Sequence, residues 1–290
     1  MEPKVFLHYT QAELDRNYDQ LSAVPHAPRI TARYGPASVA ARASLQYKTH
    51  AYGPHPDEVL DYFSEAGAGR PTVIFVHGGA WKNYTKDDYS FVARSFADAG
   101  INCAVLNFSK LPDVRMPEVI GQLRRAVVWL VQNAEALGVD PQRLYLCGHS
   151  SGAHLAALLA VTDWTAFGLP QDPIKGAALI SGAYDLEPVM ISARRTYVHL
   201  SPEEVHDLSP VRHVHPGMCQ VFVAYAQYDT DEFRRHSVAM AAALRKVGQL
   251  SEELSLDNIN HFEIVEMLGD ADNILSSKII AHLRSVTEAA

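Results

Sequence analysis

The chain has 290 residues, 48% hydrophobic and 20% charged, enough apolar material to bury a sizeable core and too much for a disordered chain. Its 25 basic and 33 acidic residues give a formal net charge of -8, and no run of Lys or Arg tracks a phosphate backbone, so nucleic acid is excluded as a partner. No apolar run approaches the roughly 20 residues that cross a bilayer, so no membrane partner is expected.

In chain order, residues 1–40 are polar, contain Pro and lack the apolar stretch of a signal peptide. They read as an N-terminal extension and a candidate lid within a single domain, 1–290. Short apolar runs then alternate with segments of helical period. The predicted strands are Leu45 to His50, Val73 to Val76, Ile101 to Phe108, Arg143 to Cys147, Gly176 to Ser181, Cys219 to Ala226 and Glu253 to Asp257. Between the third and fourth, MPEVIGQLRRAVVWLVQNAEALG puts Ile120, Leu123, Val127, Leu130 and Val131 on one helical stripe, with Gly138 as the stop. After the sixth, DEFRRHSVAMAAALRKVG does the same with Phe233, Val238, Met240, Ala241 and Leu244. This alternation predicts an α/β fold, a mostly parallel central sheet flanked by helices. The segment 186–217 breaks the pattern with His, Pro and charge, and is expected to form a small cap over the carboxyl end of the sheet, where such folds bind ligands. Cys103 and Cys147 fall inside apolar runs, and with Cys219 the count is odd, which fits a reducing, cytoplasmic setting.

The chemistry concentrates at strand ends. LYLCGHSSGAHLAALLA places G-x-S-x-G, Gly148 to Gly152, between an apolar run and a small-residue helix. A sharp strand-to-helix turn has no room for side chains on its flanks, so the glycines let Ser150 project as a nucleophile, and the following helix offers free N–H groups to an oxyanion. Earlier, VIFVHGGAW runs a strand straight into paired glycines. Gly78 and Gly79 are the expected oxyanion donors, completed by the Ser151 N–H. An acid and a base should follow, each after a late strand. Asp229 closes QVFVAYAQYD and His261 closes SLDNINH. His261 would take the Ser150 proton, and Asp229 would orient the imidazole. Asp231 is the rival acid, although two residues further on it suits a helix N-terminus better.

Trp81, Tyr84 and Tyr184 are candidates for a substrate wall, core packing being the alternative for each. His199, His206, His213 and His215 crowd one region, but none stands in a ligand pattern with a carboxylate at fixed spacing, so no metal is expected.

These motifs carry a family resemblance. HGGAW resembles the H-G-G-x-W signature of the kynurenine formamidases (arylformamidases) among the α/β hydrolases, and GHSSGAHLAA resembles their nucleophile segment. ISGAYDLEPV, YAQYDTDEFRRHS and NHFEIVEMLGDADNIL continue the likeness over roughly residues 71 to 283. The resemblance implies the α/β-hydrolase fold, a catalytic role for Ser150, Asp229 and His261, no cofactor, and cleavage of a small acyl amide or ester. The leading expectation is a serine hydrolase acting on an N-formyl arylamine such as N-formylkynurenine. A carboxylesterase, an amidase for another acyl amide or acylated enamine, and a catalytically inactive binding protein of the same fold are the alternatives. The N-terminal stretch and NFSKLPDVRMPE carry little of the likeness, and pocket walls can differ there.

Overall fold

Alternation of β-branched runs with helices produces the parallel sheet that the pattern requires. In a computed structural model of the protein, which describes residues 2–64 and 68–288, the strands are β1 (Tyr47–Ala51), β2 (Val59–Phe63), β3 (Arg70–Val76), β4 (Asn102–Leu106), β5 (Val139–His149), β6 (Ile174–Ile180), β7 (Gln220–Ala226) and β8 (Leu250–Leu256). Of the expected 1–290 span, residues 1, 65–67, 289 and 290 lie outside the described residues. The eight strands form one sheet, ordered β1-β2-β4-β3-β5-β6-β7-β8. The β1–β2 and β2–β4 pairs are antiparallel and the others parallel. This is the α/β-hydrolase architecture.

Side chains alternate across the sheet with period two. Ile74, Val76, Ala104 and Leu106 face one apolar cluster, with helices Met116–Gln132 and Asp231–Lys246. Val73, Phe75, Cys103 and Val105 face the other, with helices Ala93–Asp98 and Ile274–Glu288. Both faces are therefore covered, as parallel sheets require.

Two sequence expectations need correction. β2 is absent from the predicted strands because Asp61 interrupts its apolar run. The structure buries that carboxylate completely and satisfies it with Lys86 Nζ at 3.1 Å and Thr49 Oγ1 at 2.6 Å. Val238, expected on the buried stripe of its helix, is 46% exposed; five residues beyond Phe233 it lies about 140° round the helix from it. Gly138 ends its helical segment in the left-handed conformation, φ 67°.

The segment 186–217 folds between β6 and β7 as three short helices, Glu187–Ile191, Arg195–Val198 and Pro202–Asp207, with a 3-10 turn at Pro210–Arg212. At the N-terminus, Gln11–Asn17 begins at a Thr10/Glu13 capping box and is followed by Gln20–Ala23. Among the described residues no helix is long and apolar enough to cross a membrane.

Candidate functional site

Three parallel strands end at one edge of the sheet, and register decides what they bring there. Val76 pairs with Gly148, and His149 with Ile180, so the segments that leave β3, β5 and β6 start side by side. Ser150 follows β5 directly, at φ 56° and ψ -124°, a region that L-residues occupy only when the surroundings enforce it. Its N–H donates to the Ile180 carbonyl at 2.8 Å. The two flanking glycines are there for contact distance. A Cβ on Gly152 would lie 2.1 Å from the Val76 carbonyl oxygen, and one on Gly148 would lie 2.4 Å from that of Gly152.

The predicted acid and base arrive from β7 and β8. Ser150 Oγ stands 2.9 Å from His261 Nε2, and His261 Nδ1 2.6 Å from Asp229 Oδ1. A carboxylate only accepts, so the His261 proton sits on Nδ1 and Nε2 is free to accept from Ser150. Asp229 Oδ2 in turn accepts from Ser181 Oγ at 2.6 Å and from the Ala226 N–H at 3.0 Å. Both lone-pair sets of the carboxylate are thus occupied, which holds its plane toward the imidazole. Ser181, directly after β6, lies in the segment ISGAYDLEPV, which the sequence marks without giving this residue a role. Asp231 is exposed in the first turn of its helix and pairs with Arg234.

The loop carrying His261 is tied down on both sides. His149 Nε2 donates to the His261 carbonyl at 2.8 Å, and the Tyr34 hydroxyl to the Phe262 carbonyl at 2.6 Å. Burial, with His261 beside it, holds the His149 pKa well below the usual imidazole value, so this donor is neutral.

Gly78 packs on Ser150: a Cβ there would lie 3.2 Å from that of Ser150. Gly79, at φ 120°, lines the cavity above it. Ser151 is the first residue of its helix, so its N–H has no intrahelical acceptor, while its Oγ accepts from the Trp81 N–H at 3.1 Å. That bond fastens the glycine loop to the helix that follows Ser150. His77 fixes the other side of the loop, its ring stacked on Phe108 at 4.4 Å between centroids. Burial lowers its pKa to about 4.

Ser150 and His261 open into a cavity of about 510 Å³. Of the three aromatic residues expected on its wall, only Tyr84 lines it. Trp81 and Tyr184 are buried in the core, and the Trp81 indole donates to His154 Nδ1 at 3.2 Å. Their place on the wall is taken by Tyr197 and Phe262, and by residues from Asp15 to Leu21 together with Arg194, which belong to the expected N-terminal lid and to the 186–217 cap but are not singled out within them by the sequence. The N-terminal wall is held by its neighbours: Asp15 accepts from the Ala193 N–H at 2.6 Å, and Gln20 Nε2 donates to Thr230 at 2.8 Å.

His206, Asp207 and His213 meet at the surface with ligand atoms within 4.8 Å of one another. Those atoms serve local hydrogen bonds, His206 to Asp207 at 3.1 Å and His213 to the His206 carbonyl at 2.9 Å.

Comparison with known proteins agrees with this geometry. Residues 60–171 match the BD-FAE family model. The kynurenine formamidase of Danio rerio is 35% identical over 236 residues, 79% of this chain and 78% of that protein. The kynurenine formamidase of Salmo salar is 35% identical over 242 residues, 79% of each. In fold, the chain resembles an esterase of Pyrobaculum calidifontis, with a TM-score of 0.72, 19% identity, and coverage of 94% of this chain and 98% of that one. The chain therefore belongs to the kynurenine formamidase family of α/β hydrolases.

Proposed function

We propose that the protein is a serine hydrolase that removes a formyl group from an N-formyl arylamine such as N-formylkynurenine, through an acyl-enzyme on Ser150. The observation that carries the reading is the unbroken chain Ser150 Oγ, His261, Asp229, Ser181, opening into an aromatic-walled cavity in a chain related to kynurenine formamidases.

In this reading Ser150 Oγ attacks the formyl carbon as His261 Nε2 takes its proton, and Asp229 stabilises the imidazolium. The carbonyl oxygen becomes an oxyanion facing the N–H groups of Gly78, Gly79 and Ser151, which are fixed before the reaction and so need no reorganisation. Collapse breaks the C–N bond while His261 returns its proton to the leaving amine. Water, deprotonated by His261, then attacks the formyl ester and releases formate. The tied loops of His149, Tyr34 and Trp81 keep these groups within hydrogen-bonding reach.

The test combines turnover with labelling. A formyl arylamide should be hydrolysed with release of formate, and a fluorophosphonate should label Ser150 and stop the reaction. Ser150→Ala should lower kcat by roughly 10⁴-fold or more while the protein stays folded. Near-normal turnover in a folded Ser150→Ala protein would remove the serine mechanism. Rapid ester cleavage with formamides untouched would select the carboxylesterase instead.

A further inference from the structure

Arg194 is a buried cation with no carboxylate partner among the described residues. Its residue is 8% exposed, in the turn between helices Glu187–Ile191 and Arg195–Val198. Nε and Nη2 both donate to the Tyr18 carbonyl, at 3.1 and 2.8 Å, which fixes the plane of the guanidinium. Nη1 is buried and donates to nothing among the described residues. The rings of Tyr18, Trp81 and Phe233 lie around it, each 5.5 Å from Cζ. Aromatic faces attract a guanidinium but do not neutralise it, and arginine does not lose its proton.

The neighbouring arginines behave differently. Arg212 pairs with Asp185 and Glu187, and Arg235 holds the buried Glu232. Glu232 is the buried acid of this region, yet its oxygens are taken by Arg235 and the Tyr18 hydroxyl. Arg194 has no carboxylate partner among the described residues. Buried charges are ordinarily paired, so an unpaired one beside a ligand cavity points to an anion carried by the ligand.

Arg194 lines the same cavity as Ser150, and Lys82 and Arg16 line it too, neither in an ion pair among the described residues. Lys82 Nζ instead lies 4.5 Å over the Tyr197 ring. The acidic residues on the wall, Asp15 and Asp19, accept from neighbouring N–H and O–H groups. The wall therefore carries three cations, Arg16, Lys82 and Arg194, against two carboxylates, Asp15 and Asp19, and of these charges Arg194 is the buried one.

We propose that Arg194 is a specificity residue that pairs with a carboxylate on the amine portion of the substrate, so that the preferred substrates are anionic aryl amides. This rests on the formamidase reading in one respect: a formyl group has no room for a carboxylate, so the anion belongs to the leaving amine. Nη1 is the donor left for it, and the pairing orients the aryl amine with its acyl nitrogen toward His261.

The experiment uses pairs of aryl formamides that differ only in a side-chain carboxylate or the corresponding carboxamide, and the same pairs as aryl acetate esters. The readout is the ratio of kcat/KM for the charged over the neutral member. The wild-type ratio should exceed 10, mostly through KM. Arg194→Gln should bring it to within about 2-fold of unity, and Arg194→Lys should restore part of it, because a lysine keeps the charge without the fork. Melting temperatures and fluorophosphonate labelling check that each variant retains a folded site. An unchanged ratio in Arg194→Gln overturns the proposal, as does an equal loss for both members, which would make Arg194 only a clamp on Tyr18. If Arg194→Gln does not fold, the wild type decides: a ratio near unity overturns the proposal, and a raised ratio that Arg194→Lys keeps in part sustains it. Ester pairs that show the ratio while formamides go uncleaved would end the formamidase reading and leave the role of Arg194 standing.

Discussion

Asp229 and Asp231 are two residues apart, yet only Asp229 reaches His261, with Oδ1 2.6 Å from Nδ1. Asp229 ends the turn after β7 and is buried, whereas Asp231 opens the next helix, exposed and paired with Arg234. The difference arises at Thr230, the N-cap of that helix, whose hydroxyl is turned to the Asn17 carbonyl at 2.6 Å. Asp229→Asn should therefore lower kcat by about 10⁴-fold, because an amide presents its N–H to the imidazole and favours the wrong tautomer. Asp231→Asn should stay within a few-fold of wild type. Steady-state kinetics on any good substrate decides it, and equal losses would remove Asp229 from its place as the acid.

The turn at Ser150 tolerates no side chain at Gly152, where a Cβ would sit 2.1 Å from the Val76 oxygen and 2.4 Å from that of His77. Both obstacles are backbone at the end of β3, so neither can rotate away. Gly152→Ala should destabilise the protein by about 3 kcal/mol or more, as overpacking of a core does, and displace the glycine loop with loss of activity. At Gly35, in helix Tyr34–Ser44, a Cβ would meet nothing within 4 Å. Gly35→Ala should leave activity intact and raise stability by about 0.5–1 kcal/mol. Denaturant titration of the two variants makes the comparison, and a stable, active Gly152→Ala would refute the contact argument.

How much of this is legible in the sequence depends on whether a signal is local. Ser150, Gly148 and Gly152 declare themselves because a tight turn constrains neighbours within five positions. Asp229 and His261 are legible from their places after apolar runs. β2 is hidden because Asp61 reads as polar until Lys86, 25 residues away, supplies its partner. The lid and cap segments that hold Asp15–Leu21 and Arg194 are legible, but which of their residues meet is hidden for the same reason: the Arg194–Tyr18 contact spans 176 residues, and no periodicity carries it. Trp81 misleads in the opposite sense. It follows the glycine loop in sequence, but its φ of 62° accompanies a side chain buried against His154 rather than exposed in the cavity.

Several histidines are buried in the neutral form, which makes stability depend on pH. Burial lowers the pKa of His77 and of His154 to about 4, and pushes His149 and His236 well below the usual value. His154 shows the structural reason: Nε2–H donates to the Leu208 carbonyl at 2.8 Å while Nδ1 accepts from Trp81, so a second proton would break the Trp81 bond. In the unfolded chain these groups protonate near pH 6.5. The unfolded state then binds protons that the folded state refuses, so their contribution is fully present above about pH 6.5 and is lost as pH falls toward 4. His77 and His154 should each remove about 2 kcal/mol by pH 5. Urea titrations at pH 7, 6 and 5 should give falling midpoints, and a stability that is flat or rising over that range would contradict the neutral assignment.

The size of the acyl group tests the proposed reaction most directly. Gly78 packs within 3.2 Å of the Ser150 Cβ, measured from the position its own Cβ would take, and Trp81, whose N–H is bound to Ser151 Oγ, closes the loop behind it. The glycine loop and the Ser150 turn are thus fastened together, with little freedom to part for a longer acyl chain. The amine portion, by contrast, has the aromatic and cationic cavity of about 510 Å³. On a fixed aryl leaving group, kcat/KM should fall steadily from formyl through acetyl to butyryl, each methylene costing about 1–3 kcal/mol of transition-state stabilisation. A roomy ester cleft behaves the other way, since longer chains bury more apolar area and gain about 0.8 kcal/mol per methylene. An optimum at butyryl or beyond would show that the space beside Gly78 accepts chains, and would move the protein from the formamidases to the carboxylesterases while leaving Ser150, His261 and Asp229 in their roles.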